Sequence, residues 1–254
     1  MKNTIPFKYL RYGIPAASFL AFLLRKLLYA TAVDEKGLLI AGHWATWTIL
    51  ILSGLVLGAL ALLTRNPEAP DAYQEIFCPS ALRGGTSILA AITILIRAFQ
   101  SYEGPGNRLE VIAFALGVAA GLGLLVAGIC RLTGTKPNFL CHCLVSIFFA
   151  VQMLSQYRHW STSPQLMDYG FYLTAFIFLM MTAYYLACFD GGIGNHRALQ
   201  IVSMAAGYFC CLAIPEAGDS LLLITCALWA FCCLPQLQPR LRRQRASMNL
   251  DEEP

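Results

Sequence analysis

The chain has 254 residues, of which 57% are hydrophobic and only 13% charged, and its mean hydropathy is +0.60. That balance excludes an ordinary soluble domain and places the chain among integral membrane proteins. The net charge of +4 is small, and the basic residues sit at the ends of apolar runs rather than on an aromatic-laced surface, so nucleic-acid binding has no support.

The N-terminal stretch carries Lys2, Lys8 and Arg11, then the apolar run Gly13 to Leu24, the pair Arg25-Lys26 and a second short run to Val33. A basic start followed by Ala30-Thr31-Ala32 fits a signal peptide, but two cations closing the apolar region argue against cleavage. A tilted first span with Arg25 and Lys26 snorkelling to the interface is expected, and an interfacial amphipathic helix is the alternative. The second run, Trp44 to Thr64, opens with Trp44 and Trp47, residues that favour a membrane interface. Within it Gly54 and Gly58 stand four apart on one face, as Gly117 and Gly121 do later, and both pairs are expected to let helix backbones approach closely.

Residues 65–80 form the longest loop, broken by Asn66, Pro67, Pro70 and Pro79 and kept in water by Glu68, Asp71 and Glu75. The third run, Ala81 to Phe99, is bounded by Arg83 and Arg97, and the turn Glu103-Gly104-Pro105-Gly106-Asn107 joins it to the fourth, Leu109 to Cys130, as a hairpin. After Arg131 to Asn138 comes the fifth run, Phe139 to Tyr157, which is long enough to cross a bilayer as a helix. Its Cys141-His142-Cys143 sequence invites a metal reading. Successive helical residues point about 100° apart, however, so these three do not close on one tetrahedral ion, and no metal or cofactor is expected.

The sixth run, Asp168 to Phe189, is aromatic and Met-rich, and Asp190-Gly191-Gly192-Ile193-Gly194-Asn195-His196-Arg197 follows it. Lacking a preceding strand and a Lys-Ser/Thr ending, that segment meets neither the dinucleotide nor the phosphate-loop pattern and reads as a flexible turn. The last two runs, Ala198 to Ile214 and Ser220 to Leu234, are separated by a short polar turn and form an antiparallel hairpin. The fold class is thus all-α, a polytopic membrane bundle of about eight transmembrane helices, or seven if the N-terminal segment is interfacial. Residues 1–237 make one transmembrane domain, and 238–254 a cytoplasmic tail, basic and then acidic. Arg240, Arg242, Arg243 and Arg245 in that tail suit anionic lipid, at about 1 kcal/mol per cation near the surface. The ten cysteines lie in or at the ends of apolar runs, where they act as small hydrophobes rather than as a disulfide framework. By the positive-inside rule the C-terminus is cytoplasmic, as are Arg131, Lys136 and Arg197, while the segments around Glu103, Trp160 and Glu216 lie outside.

The densest polar chemistry is at Gln152 to Asp168. At 100° per residue His142, Ser146, Gln152, Gln156 and His159 fall within about 140° of one another, so the fifth helix has a polar face that must turn away from lipid. Ser163 and Pro164 read as N-cap and first residue of the next helix, which brings Asp168 within reach of Arg158 across a short connection. The candidate ligand-binding residues are therefore Gln152, Gln156, Arg158, His159 and Asp168, with a plain helix-end ion pair as the alternative. Intramembrane protease motifs and paired carboxylates for acid–base work are missing, so no catalytic residue is assigned.

At YRHWSTSPQLMDYGFYL, residues 157–173, and LLYATAVDEKGLLIAGH, residues 27–43, the chain resembles an uncharacterised family of multi-spanning membrane proteins from clostridia-like bacteria. The resemblance implies a bacterial plasma membrane and carries no activity with it. The expected function is non-catalytic: a small permease-like protein, sensor or accessory subunit that recognises a ligand at its outer face. A membrane enzyme acting on a lipid or lipid-linked substrate, with His159 as proton carrier, and a structural scaffold are the alternatives.

Overall fold

A computed structural model describes residues 8–32, 43–63, 80–100, 102, 108–160, 169–215 and 219–233. Among them are eight α-helices and no strand: α1 (Lys8–Thr31), α2 (Trp44–Leu63), α3 (Ala81–Gln100), α4 (Arg108–Thr133), α5 (Phe139–Trp160), α6 (Gly170–Asp190), α7 (His196–Ala213) and α8 (Ser220–Cys232). Six of these, α1 to α6, are long and apolar enough to cross a membrane, and α8 is a shorter apolar helix of 13 residues. The protein is an all-α polytopic membrane bundle.

Helices α3 to α8 close into a ring in which each packs on the next and α8 returns to α3. The α1–α2 pair packs outside this ring, on α7. Neighbours in the ring run antiparallel, as the α3–α4 contacts show: a Cβ at Gly84 would meet Leu132, one at Gly121 would lie 2.6 Å from Leu95 Cγ, and one at Gly117 would lie 2.7 Å from the Ala98 Cβ. The close approach expected at Gly117 and Gly121 is therefore present. At Gly54 and Gly58 it is not. Both are exposed, and a Cβ at either would meet nothing within 4 Å, because α2 presents a different face to its partners.

That face is a single stripe, Ala45, Ile49, Ser53, Val56 and Leu60, and α1 has its counterpart in Ile14, Ser18, Ala21, Arg25, Leu28 and Ala32. Steps of three and four residues keep each stripe on one side of the helix, so the remaining surface of both helices, rich in Leu and Ile, is left for lipid. Helix α7 is built on the opposite plan. All of its residues except Arg197, Ala198, Ile201 and Cys211 are buried, since α1, α2, α6 and α8 surround it. A helix covered by protein has no need to be apolar all round, which accounts for Gln200, Ser203 and Tyr208 in its sequence.

Buried hydroxyls pin the helices at mid-depth, with Ser53 Oγ and Tyr208 Oη 3.1 Å apart between α2 and α7 and Thr93 Oγ1 and Thr225 Oγ1 2.7 Å apart between α3 and α8. Aromatic rings fill the rest: Phe149 lies 5.7 Å from Phe176 across α5–α6, and Phe178 stacks on Phe209 at 5.3 Å across α6–α7. Three expectations are corrected here. Arg25 does not snorkel. It is 2% exposed, with its guanidinium 4.5 Å from the ring centre of Phe171 on α6. Helix α6 begins at Gly170 after Tyr169 in the N-cap position, later than a start at Pro164, while Ser163 and Pro164 lie outside the described residues. Finally, α7 begins at His196, two residues before the run read from the sequence, because the Asn195 Oδ1 accepts from the Ala198 N–H and caps it.

Candidate functional site

The polar face of α5 is turned into the bundle. His142 and Gln152 are buried, Ser146 donates to the Met180 carbonyl on α6 at 3.1 Å, and Gln156 is half-buried. Phe139, Leu140, Ile147 and Leu154 of the same helix are exposed, apolar and suited to lipid, while Ser155, Tyr157 and Arg158 are exposed toward its end. Of the other candidate residues, Arg158 is exposed near the end of α5, His159 lies in its last turn, and Asp168 is outside the described residues, as is the expected Arg158–Asp168 pair. The C-terminal basic cluster and Cys78 are outside them too. Three hydroxyls of the neighbouring helices bond elsewhere than to this face: Tyr172 to Asp219, Thr174 to the Gly170 carbonyl and Ser203 to the Gln200 carbonyl.

What the structure brings together is a cluster at the opposite end of α5, hereafter the Gly134 end after the turn that joins α4 to α5. The His142 Nδ1 is 2.5 Å from Asp190 Oδ2, on the last residue of α6. The His142 Nε2 faces Arg131 Nη2 of α4 at 3.4 Å, and Arg131 Nη1 donates to Cys233 Sγ, just past α8, at 3.9 Å. Arg131, His142, Asp190 and Cys233 are each at most 5% exposed. Four helices thus meet through one chain of polar contacts withdrawn from both water and lipid. Each ring nitrogen of His142 faces a protein group, which is a different use of the Cys141-His142-Cys143 segment from ligation.

Asp190 corrects the sequence reading, which placed it in a flexible turn. The chain does turn there, with Gly192 at φ +85, a left-handed conformation that glycine adopts without cost. Yet Asp190 itself completes α6 and points inward. A signal for the cluster existed in the sequence. Arg131 closes the fourth run, His142 opens the fifth and Asp190 closes the sixth, so alternation of direction puts all three at one end of the bundle.

The far end, hereafter the Asp219 end, holds a second set of charges. Arg97 Nη2 of α3 is 3.0 Å from Asp219 Oδ2, which also accepts from the Tyr172 hydroxyl of α6 at 3.2 Å. Here the side chains of Arg97 and Asp219 keep 25% and 13% of their exposure. Arg25 belongs to this end through its contacts with Phe171 and Tyr29. No family model matches the chain, and no solved structure matches it.

Proposed function

We propose that this multi-pass membrane protein is a non-catalytic, permease-like or sensor protein of a bacterial plasma membrane, with its C-terminus in the cytoplasm and a ligand site opening at the outer, Asp219 end. The observation that carries this reading is the polar face of α5 turned toward protein along its length. His142 and Ser146 of that face bond within the fold, and the polar groups beyond them, Gln152 and Gln156, are of the kind that marks ligand or ion pathways at membrane depth. Arg158, exposed near the end of α5, supplies a charge at the mouth of such a site. Gln152 and Gln156 line its wall, and the sequence assigns His159 and Asp168 to the same site. The orientation is supported by Lys136 and Arg197 at the Gly134 end, which the positive-inside rule assigns to the cytoplasm. The bacterial location rests on the resemblance at residues 27–43 and 157–173.

Single cysteines Gln152→Cys and Gln156→Cys, each in a background without the native cysteines, test this reading in membrane vesicles of known sidedness. Rapid modification of both by a water-soluble thiol reagent added from outside is expected. Protection of both in folded protein overturns it.

A further inference from the structure

The cluster at the Gly134 end has its protons placed by its own partners. A guanidinium carries donors and no acceptor, so the ring nitrogen that Arg131 Nη2 faces at 3.4 Å, His142 Nε2, is the one without a hydrogen. The proton of the neutral ring is then on Nδ1, and it is donated to Asp190 Oδ2. Arg131 is positive, His142 neutral and Asp190 negative, so the three together carry no net charge. One acceptor is left over: Asp190 Oδ1 is buried and has no hydrogen-bond partner among the described residues. A carboxylate oxygen withdrawn from water without a donor is costly, and the residue that bears it is 5% exposed.

We propose that Asp190 Oδ1 is a proton-binding site, and that the cluster alternates between a neutral state with a carboxylate and a singly positive state with a carboxylic acid. An arriving proton has two stations to choose from, because Arg131 is already full. At His142 Nε2 it would displace the Arg131 N–H and set two cations against each other. At Asp190 Oδ1 it breaks nothing, since Oδ2 remains a carbonyl oxygen and still accepts from Nδ1–H. The proton comes from a hydronium ion of the bulk solution, which leaves as water, and no other bond changes. The groups presented to Asp190 by the helices around it are consistent with this choice. Helix α5 offers His142 between the thiols of Cys141 and Cys143, α8 offers Cys233 through Arg131, and α7 offers His196, which is buried with its Nε2 3.4 Å from Gln200 Nε2. Of these only the two histidines compete for a proton near neutral pH. The site stands on these residues alone and does not depend on a ligand at the other end. In the positive state the cluster no longer sets a carboxylate against the Arg131 guanidinium, and the tie among α4, α5 and α6 loosens.

The test uses the full chain in phosphatidylcholine vesicles, with infrared difference spectra recorded between about pH 4 and about pH 9, a range that covers carboxylates and imidazoles. On acidification the protonated-carboxyl C=O band of the native protein should exceed that of Asp190→Asn, which keeps the size and one acceptor oxygen, by one proton per chain, the other Asp and Glu side chains contributing equally to both. Should Asp190→Asn fail to fold by circular dichroism, Asp190→Glu serves instead, and the band must then move in frequency. An unchanged band in either variant overturns the proposal. So does a one-proton signal that belongs to imidazole and disappears in His142→Asn or His196→Asn while the carboxyl bands of the native protein and Asp190→Asn coincide.

Discussion

The two ends of the bundle use the same kinds of side chain under different solvation. At the Gly134 end Arg131, His142 and Asp190 are fully buried and joined in series, whereas at the Asp219 end Arg97 and Asp219 retain a quarter and about an eighth of their exposure. Buried partners depend on one another, because each stands in for the water that burial has removed, while half-exposed partners have water as an alternative. Charge at the Gly134 end is therefore a condition of the fold. At the Asp219 end it is a local preference.

The largest effect should follow from Asp190→Ala, which removes the carboxylate from the buried Arg131–His142–Asp190 series and should lower stability by about 3–5 kcal/mol. Arg131→Met combined with His142→Leu and Asp190→Leu should return to within about 1 kcal/mol of the native protein, since apolar replacement of all three removes the desolvation cost as well as the attraction and leaves no ring nitrogen of His142 without a partner. Unfolding in detergent micelles measures both, and additive losses would mean that the three residues do not act as a unit. A smaller change is expected at the other end from Arg25→Lys. The ammonium lacks the planar group that lies over Phe171, and a loss of about 1–2 kcal/mol is expected in the same assay. No change at all would remove the stacking from the account of that end.

The comparison is sharpened most by salt. Arg97→Ala should cost about 1 kcal/mol or less, and that cost should shrink at about 1 M salt, where charges reached by water are screened over about 3 Å. The loss in Asp190→Ala should be the same at both ionic strengths. Equal salt sensitivity at the two ends would erase the distinction drawn between them. The smallest term is the mid-depth hydroxyl pair. Thr93→Val with Thr225→Val in a double-mutant cycle should give a coupling of about 0.6 kcal/mol, typical of hydrogen bonds between membrane helices. A coupling well above that of the charged pairs would shift the weight of the fold from its ends to its middle.

Much of the fold is legible in the chain because length and hydropathy are local properties. Seven apolar runs and the α3–α4 hairpin follow from them directly, and the inward face of α5 follows from helical periodicity. Which face meets which neighbour is a different kind of information. Gly54 and Gly58 have the same spacing as Gly117 and Gly121, yet one pair looks outward and the other packs on α3, since spacing defines a face and says nothing of its partner. Arg25 was readable as an interfacial cation but not as the partner of Phe171, which lies far along the chain. Asp190 was hidden by its neighbours: two glycines after it marked a turn, and composition of that kind does not reveal that the last helical residue points inward.

The burial of α7 has a consequence for how the protein is made. Its sequence, with His196, Arg197, Gln200 and Ser203, is not among those apolar enough to enter lipid on hydropathy alone, and the helices that cover it are α1, α2, α6 and α8. Three of those four are synthesised before it and the fourth immediately after. Entry of α7 into the bilayer is thus an act of assembly on helices already in place, completed as a hairpin with α8. A nascent chain arrested between the two would hold its most protein-adapted helix without its last partner, which makes that interval the natural point for quality control to inspect the chain.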